Sequence, residues 1–157
     1  MVPHVYGSAV STPGYLEHSK RDPETLKHNW GDLVAPNCWG GEVSNSHAAT
    51  LSMWEDLESV AAFAYHGLHG EAMKRRQEWF VRRGLPEHVA WWQDDSDPIS
   101  FGIAAQKMDL LHDLGPTPDA FSLRCPFVRN GRPVKINAEM VRTKAAQHAG
   151  LSASRLE

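Results

Sequence analysis

Cysteine is scarce: the 157 residues hold two, Cys38 and Cys125. Two such residues build neither a disulfide framework nor a cysteine-based metal cluster, and a reduced, intracellular protein is the expectation. Basic residues are also few. Sixteen Lys and Arg stand against nineteen Asp and Glu, a formal charge of −3, so the gathered positive surface of a nucleic-acid binder is missing. No apolar run reaches the roughly eighteen residues of a membrane-spanning helix. No charged-then-apolar leader opens the chain, and a cytoplasmic location is the expectation. Gly-rich phosphate loops, nucleophile elbows and metalloprotease motifs are absent as well. At 17.5 kDa the chain suits a single domain with a real core. What it has in abundance is histidine and tryptophan, nine and six respectively.

The chain alternates strand and helix signals. Residues 3–10 read as the end of a helix, broken by Ser11-Thr12-Pro13-Gly14, and Tyr15-Leu16 as the start of a short strand. Residues 21–46, rich in Gly, Pro and Asn and without periodicity, read as a long inserted loop. Ala48–Trp54 reads as a strand. Glu55-Asp56 then opens a helix on whose face Leu57, Val60, Ala61 and Ala64 recur, with acid at the favourable end of the dipole. Gly67 and Gly70 predict a break, followed by a second helix from Leu68 to Arg83 that Gly84-Leu85-Pro86 stops. Val89–Gln93 predicts a strand sending Trp91 and Trp92 to opposite faces. Asp97-Pro98 predicts the cap of a further helix ending near Leu114. Beyond Gly115-Pro116-Thr117-Pro118, alternation over Ala120–Val128 predicts a strand with Phe121, Leu123, Cys125 and Phe127 on its buried face. The extension over residues 129–157 carries a strand signal at Val134–Asn137 and a helical one at Ala138–Ala149.

This pattern predicts an α+β fold with helices on one face of an antiparallel sheet. The opposite face, carrying one of the two tryptophans, would need another layer, and a homodimer pairing two sheets supplies it.

Leu51-Ser52-Met53-Trp54-Glu55, Phe63-Ala64-Tyr65, His69, Met73, Arg75-Arg76 and Trp79-Phe80 form a series. It runs on through Trp91-Trp92 and Gly115-Pro116-Thr117-Pro118-Asp119-Ala120-Phe121. Together these resemble a bacterial family known as domain of unknown function 3291. The resemblance covers about Pro13 to Phe127. It implies a ferredoxin-like sheet in a dimeric α+β barrel, related to cofactor-free antibiotic-biosynthesis monooxygenases, occupying residues 1–128. Family members begin with a strand and most of a helix before the Pro-Gly turn, and only a helix end is legible here. The tail is therefore expected to fill the first strand's place.

Tyr65, His69, Met73 and Arg76 recur at spacings of three and four, which puts them on one helical face if the glycine break does not rotate them apart. His69 is the candidate general base, its free pKa lying near neutrality. Arg76 can grip an oxyanion in bidentate fashion, and Tyr65 can donate a proton or orient an oxygen. The plainer alternative has His69 bonding a backbone carbonyl and Arg76 pairing with a surface acid. Trp54, Phe63, His66, Met73, Trp79, Trp92 and Phe121 are the candidate walls of an apolar substrate pocket; for most of the aromatics the alternative is simple core packing. His66 and His69 supply at most two ligands of a metal site, so no metal site is predicted. Haem or a metal ion on the same scaffold is the minority alternative, since the related superfamily includes haem proteins. The resulting expectation is a homodimeric enzyme without organic cofactor, acting on a hydrophobic aromatic or polyketide-like molecule by acid/base chemistry of monooxygenase, isomerase, cyclase or lyase type. A non-catalytic binder of a hydrophobic ligand is the rival from another class.

Overall fold

The computed structural model describes residues 2–10, 41–43, 47–79, 84, 86–94, 96–98 and 100–154. Val2–Val10 is a strand, β1, where a helix end was expected. Its run of Val and Tyr suits an extended backbone, and both of its edges are paired, which decides the matter. Gly41–Val43 forms β2 inside what read as loop. His47–Met53 is β3, and His88–Gln93 is β4, both where the alternation put them. Tyr15-Leu16 and the rest of the 21–46 segment lie outside the described residues.

Among the described residues these strands make one mixed-order antiparallel sheet, β2-β3-β1-β4. Tyr6 pairs with Leu51 on one side and Val89 on the other, while Val5 pairs with Ser52 and Ala90. Directly paired residues share a face, so Leu51 and Val89 lie on one face and Val5, Ser52 and Ala90 on the other. The first strand's place is filled by β1 itself, which removes the reason for the tail to take it.

Helix α1 (Leu57–Tyr65) starts at Asp56, whose Oδ1 accepts from the backbone N and the Oγ of Ser59, each at 2.7 Å. Helices α2 (Gly67–Lys74) and α3 (Arg76–Trp79) follow as separate pieces, since the backbone turns at His66 and again at Arg75. Helix α4 (Phe101–Leu114) begins three residues later than Asp97-Pro98 suggested. Its cap is Ser100, whose Oγ accepts from the N–H of Ile103, and it ends at Gly115 with φ +73°. Helix α5 (Ala138–Ser154) confirms the helical signal of the extension, with Asn137 Oδ1 accepting from the N–H of Glu139 and Met140.

Residues 120–137 do not form the two strands expected. Single bridges join Phe121 to Ala90 and Phe127 to Pro133, and a turn from Ser122 to Cys125 interrupts the alternation. Phe121 and Leu123 are buried as expected, but the turn swings Cys125 out to solvent.

Helices pack on both sheet faces, not on one. Trp54, Leu57, Val60 and Phe63 cover the Val5–Ala90 face together with Phe121 and Leu123. Ala104 and Leu111 of α4 cover Leu51, Val89 and Trp91 on the other. The chain leaving β4 turns back over the Trp91 face, so Trp91 finds its layer inside its own chain. Val141 of α5 closes a third cluster with Ala61 and Ala62 on the outer side of α1.

Candidate functional site

The elbow between α1 and α2 is built by two glycines. Gly67 adopts φ +57°, and a Cβ on Gly70 would lie 2.7 Å from the carbonyl carbon and oxygen of Tyr65. Only glycine lets α2 fold that tightly against the end of α1. The elbow brings His69 back beneath the last turn of α1, where its Nδ1 lies 3.1 Å from the carbonyl oxygen of Ala64. That carbonyl belongs to the set a helix end leaves without an intrahelical donor. A carbonyl only accepts, so Nδ1 carries the proton and Nε2 is the basic nitrogen. The ring packs against Phe63 at 4.3 Å between centroids. Burial lowers the His69 pKa, against the pull of the Ala64 bond, and keeps the ring neutral near pH 7.

The other two candidate catalytic groups are elsewhere engaged or turned outward. Arg76 on α3 pairs with Glu87, ahead of β4. Tyr65 is half exposed at the end of α1. The breaks at His66 and Arg75 place Tyr65, His69 and Arg76 on three separate helices, so the spacing that aligned them on one face does not hold. Both parts of the plainer alternative describe what is seen: His69 meets a backbone carbonyl and Arg76 meets a surface acid.

Among the candidate pocket residues, Trp54, Phe63 and Phe121 are buried core. Trp54 donates its indole N–H to Ser52 Oγ at 2.7 Å, and its ring lies 5.2 Å from Phe63. His66 is exposed and Met73 half-buried, while the side chain of Trp79 lies outside what the structure describes. Trp92 is half-buried. Its indole donates to the carbonyl of Phe127 at 2.7 Å, and the Arg129 guanidinium sits 5.3 Å over its ring.

Trp92 also lines an open cleft of about 330 Å³ at the end of β4, with Gln93, Asp94, Asp97, Ile103 and Lys107 among the other walls. Behind it runs a polar relay: Trp91 Nε1 donates to Gln93 Oε1 at 2.7 Å, and Gln93 Nε2 donates to the Pro98 carbonyl at 2.8 Å. Sequence reasoning missed this cleft. Its signal was present in Asp94-x-x-Asp97 directly after an aromatic strand, which reads first as a turn.

Among the described residues no group of three or more His, Cys, Asp or Glu is placed to hold a metal ion. For haem, a ligating imidazole is commonly oriented by a carbonyl on its other nitrogen, as Ala64 does for His69. A macrocycle also needs a cavity at that nitrogen, and His69 is not among the residues lining the cleft.

Residues 2–137 match the model of a family described as Domain of unknown function (DUF3291). The chain belongs to that family. Within it, the DUF3291 domain takes in the whole described sheet, α1 to α4 and the bridged segment, whereas α5 follows the matched span. The match thus starts earlier than the Pro13–Phe127 span of the sequence motifs, because β1 is part of the DUF3291 domain. No curated protein and no solved structure matches the chain. Among the described residues of this DUF3291 protein, no helix is long and apolar enough to cross a membrane.

Proposed function

We propose that this DUF3291 domain is a small-molecule enzyme of the dimeric α+β barrel type, acting on a hydrophobic aromatic or polyketide-like compound with His69 as its acid/base group. The observation that carries the reading is the His69 geometry. Its tautomer is set by Ala64, its ring is held against Phe63, and burial keeps Nε2 unprotonated and basic near neutrality. The sheet order β2-β3-β1-β4, antiparallel throughout, supports the ferredoxin-like assignment. The homodimer rests on the resemblance to the barrel superfamily alone, since α4 already layers the face that seemed to need a partner. Arg76, paired with Glu87, and Tyr65, half exposed at the end of α1, stay as candidates to steady an oxyanion or orient a substrate oxygen beside His69.

The second reading is a non-catalytic binder of a hydrophobic ligand. The cleft beside Trp92 favours it, offering an aromatic wall with polar groups at the rim.

Titration with 1-naphthol, an aromatic with an ionisable hydroxyl, tests the two together with native mass spectrometry. The enzyme reading expects saturable binding that shifts the His69 ring nitrogen resonances and is lost in His69→Gln. Binding that shifts Trp92 and leaves His69 unmoved favours the binder. A Soret band or metal increment in the freshly purified protein sinks both in favour of a bound cofactor.

A further inference from the structure

The segment from Phe121 to Phe127 is fastened to every second residue of β4. Ala90 and Phe121 exchange two backbone hydrogen bonds, of 2.7 and 2.8 Å, and Trp92 holds the Phe127 carbonyl. The third fastener is a side chain. His88, half-buried at the start of β4, accepts the backbone N–H of Leu123 on Nε2 at 3.4 Å. A nitrogen that accepts a hydrogen bond carries no proton, so this ring is the neutral Nδ1–H tautomer. A proton added at Nε2 turns the acceptor into a donor facing another donor. The contact then repels, and a half-buried charge is left without its bond. Of the three fasteners, His88 is the one whose acceptor can take up a proton.

We propose that His88 is a pH-sensitive latch: neutral, it holds the 121–127 segment on β4, and protonated, it lets the segment go. The charged groups around it come from three directions. Burial lowers its pKa first; Glu87, its neighbour, works against this, while Arg124 on the segment and Arg76 on α3 add to the lowering. Glu87 is itself paired with Arg76, which ties α3 to the same locus. With the folded pKa below the ordinary imidazole value, the latch is fully closed above that value and weakens as pH falls toward the folded one. Release lifts Phe121 and Leu123 from the cluster they share with Trp54, Phe63 and Ala90. Acid therefore opens an apolar surface beside β4.

Hydrogen exchange between pH 7.5 and 5, corrected for intrinsic rates, tests this on the full chain. Protection over residues 121–128 is expected to fall about tenfold per pH unit below the ordinary histidine value, while β1 and β3 keep theirs. His88→Gln, whose amide oxygen can accept from Leu123 without titrating, is expected to lose that slope. Parallel loss of protection in β1 and β3, or the same slope in His88→Gln, overturns the proposal. Should the variant not fold, wild-type NMR decides: the His88 ring and the Leu123 amide must titrate together, and a ring that protonates without moving that amide overturns the latch.

Discussion

Asp56 uses one carboxylate for two purposes. It caps α1 through Ser59 and receives Lys144 Nζ of α5 at 2.9 Å. Burial works against its ionised form, but the bonds from Lys144 and Ser59 outweigh that and hold its pKa below the usual carboxylate value. Asp56→Ala is expected to cost about 1–2 kcal/mol in urea unfolding, roughly a lost cap plus a partly exposed ion pair. The sign with pH follows from the lowered value. The stabilisation is present above the unfolded carboxylate pKa and disappears as pH falls through the folded one. Unfolding midpoints of wild type and Asp56→Ala should therefore converge in acid, below about pH 4. His69 teaches the opposite lesson at the same scale. Its spacing from Tyr65 and Arg76 was legible in the sequence, and so was a bond to a backbone carbonyl, but the elbow that sets the ring's position depends on how α2 meets the end of α1. Linear spacing carries no trace of that. His69→Ala is expected to destabilise by about 1–2 kcal/mol through the lost bond to Ala64 and the lost packing on Phe63.

At the scale of elements, Gly70 is the piece that fixes the path. An exposed helical glycine usually gains up to about 1 kcal/mol on becoming alanine. Here the new methyl meets the Tyr65 backbone at 2.7 Å, which cannot swing aside like a side chain. Gly70→Ala is expected to lower stability by about 2–3 kcal/mol, with the change in hydrogen exchange centred on α2. Helix α5 makes a second test. It covers Ala61 and Ala62 with Val141 and sends Lys144 to Asp56, so a chain ending at Asn137 should fold yet lose about 2–3 kcal/mol, measured by urea unfolding. Elements with strong periodicity were legible from the residue pattern alone: β3, α1, β4 and α5 stand where that pattern put them, and α4 ends where expected but starts three residues later, at its Ser100 cap. Strand β1 was not, because Pro3, Gly7 and Ser8 blur its alternation and its identity comes from partners far along the chain. The 120–137 stretch misled for a related reason. Its apolar residues alternate, but Pro126 and Pro133 and the turn at Ser122 allow only single bridges.

Among the described residues, each face of the sheet carries a layer from its own chain, with α1 and the 121–136 segment on one side and α4 on the other. The α+β class was legible from the succession of signals. The two-sided cover was not, since a helix following a strand says nothing of the face to which it returns. The first of the described strands, β1, lies inside the sheet: Val2 pairs with Gln93, about ninety residues away, and His4 with Met53. Such distant pairing raises contact order and slows folding. Refolding should accordingly be slow for a domain of this size, and a fragment ending before His88 should leave β1 unprotected in hydrogen exchange. During synthesis, β1 is made before both of its neighbours, β3 and β4. It must wait, with an open edge in search of a strand, until β4 has emerged, and an unpaired strand edge is where a nascent chain is most prone to aggregate.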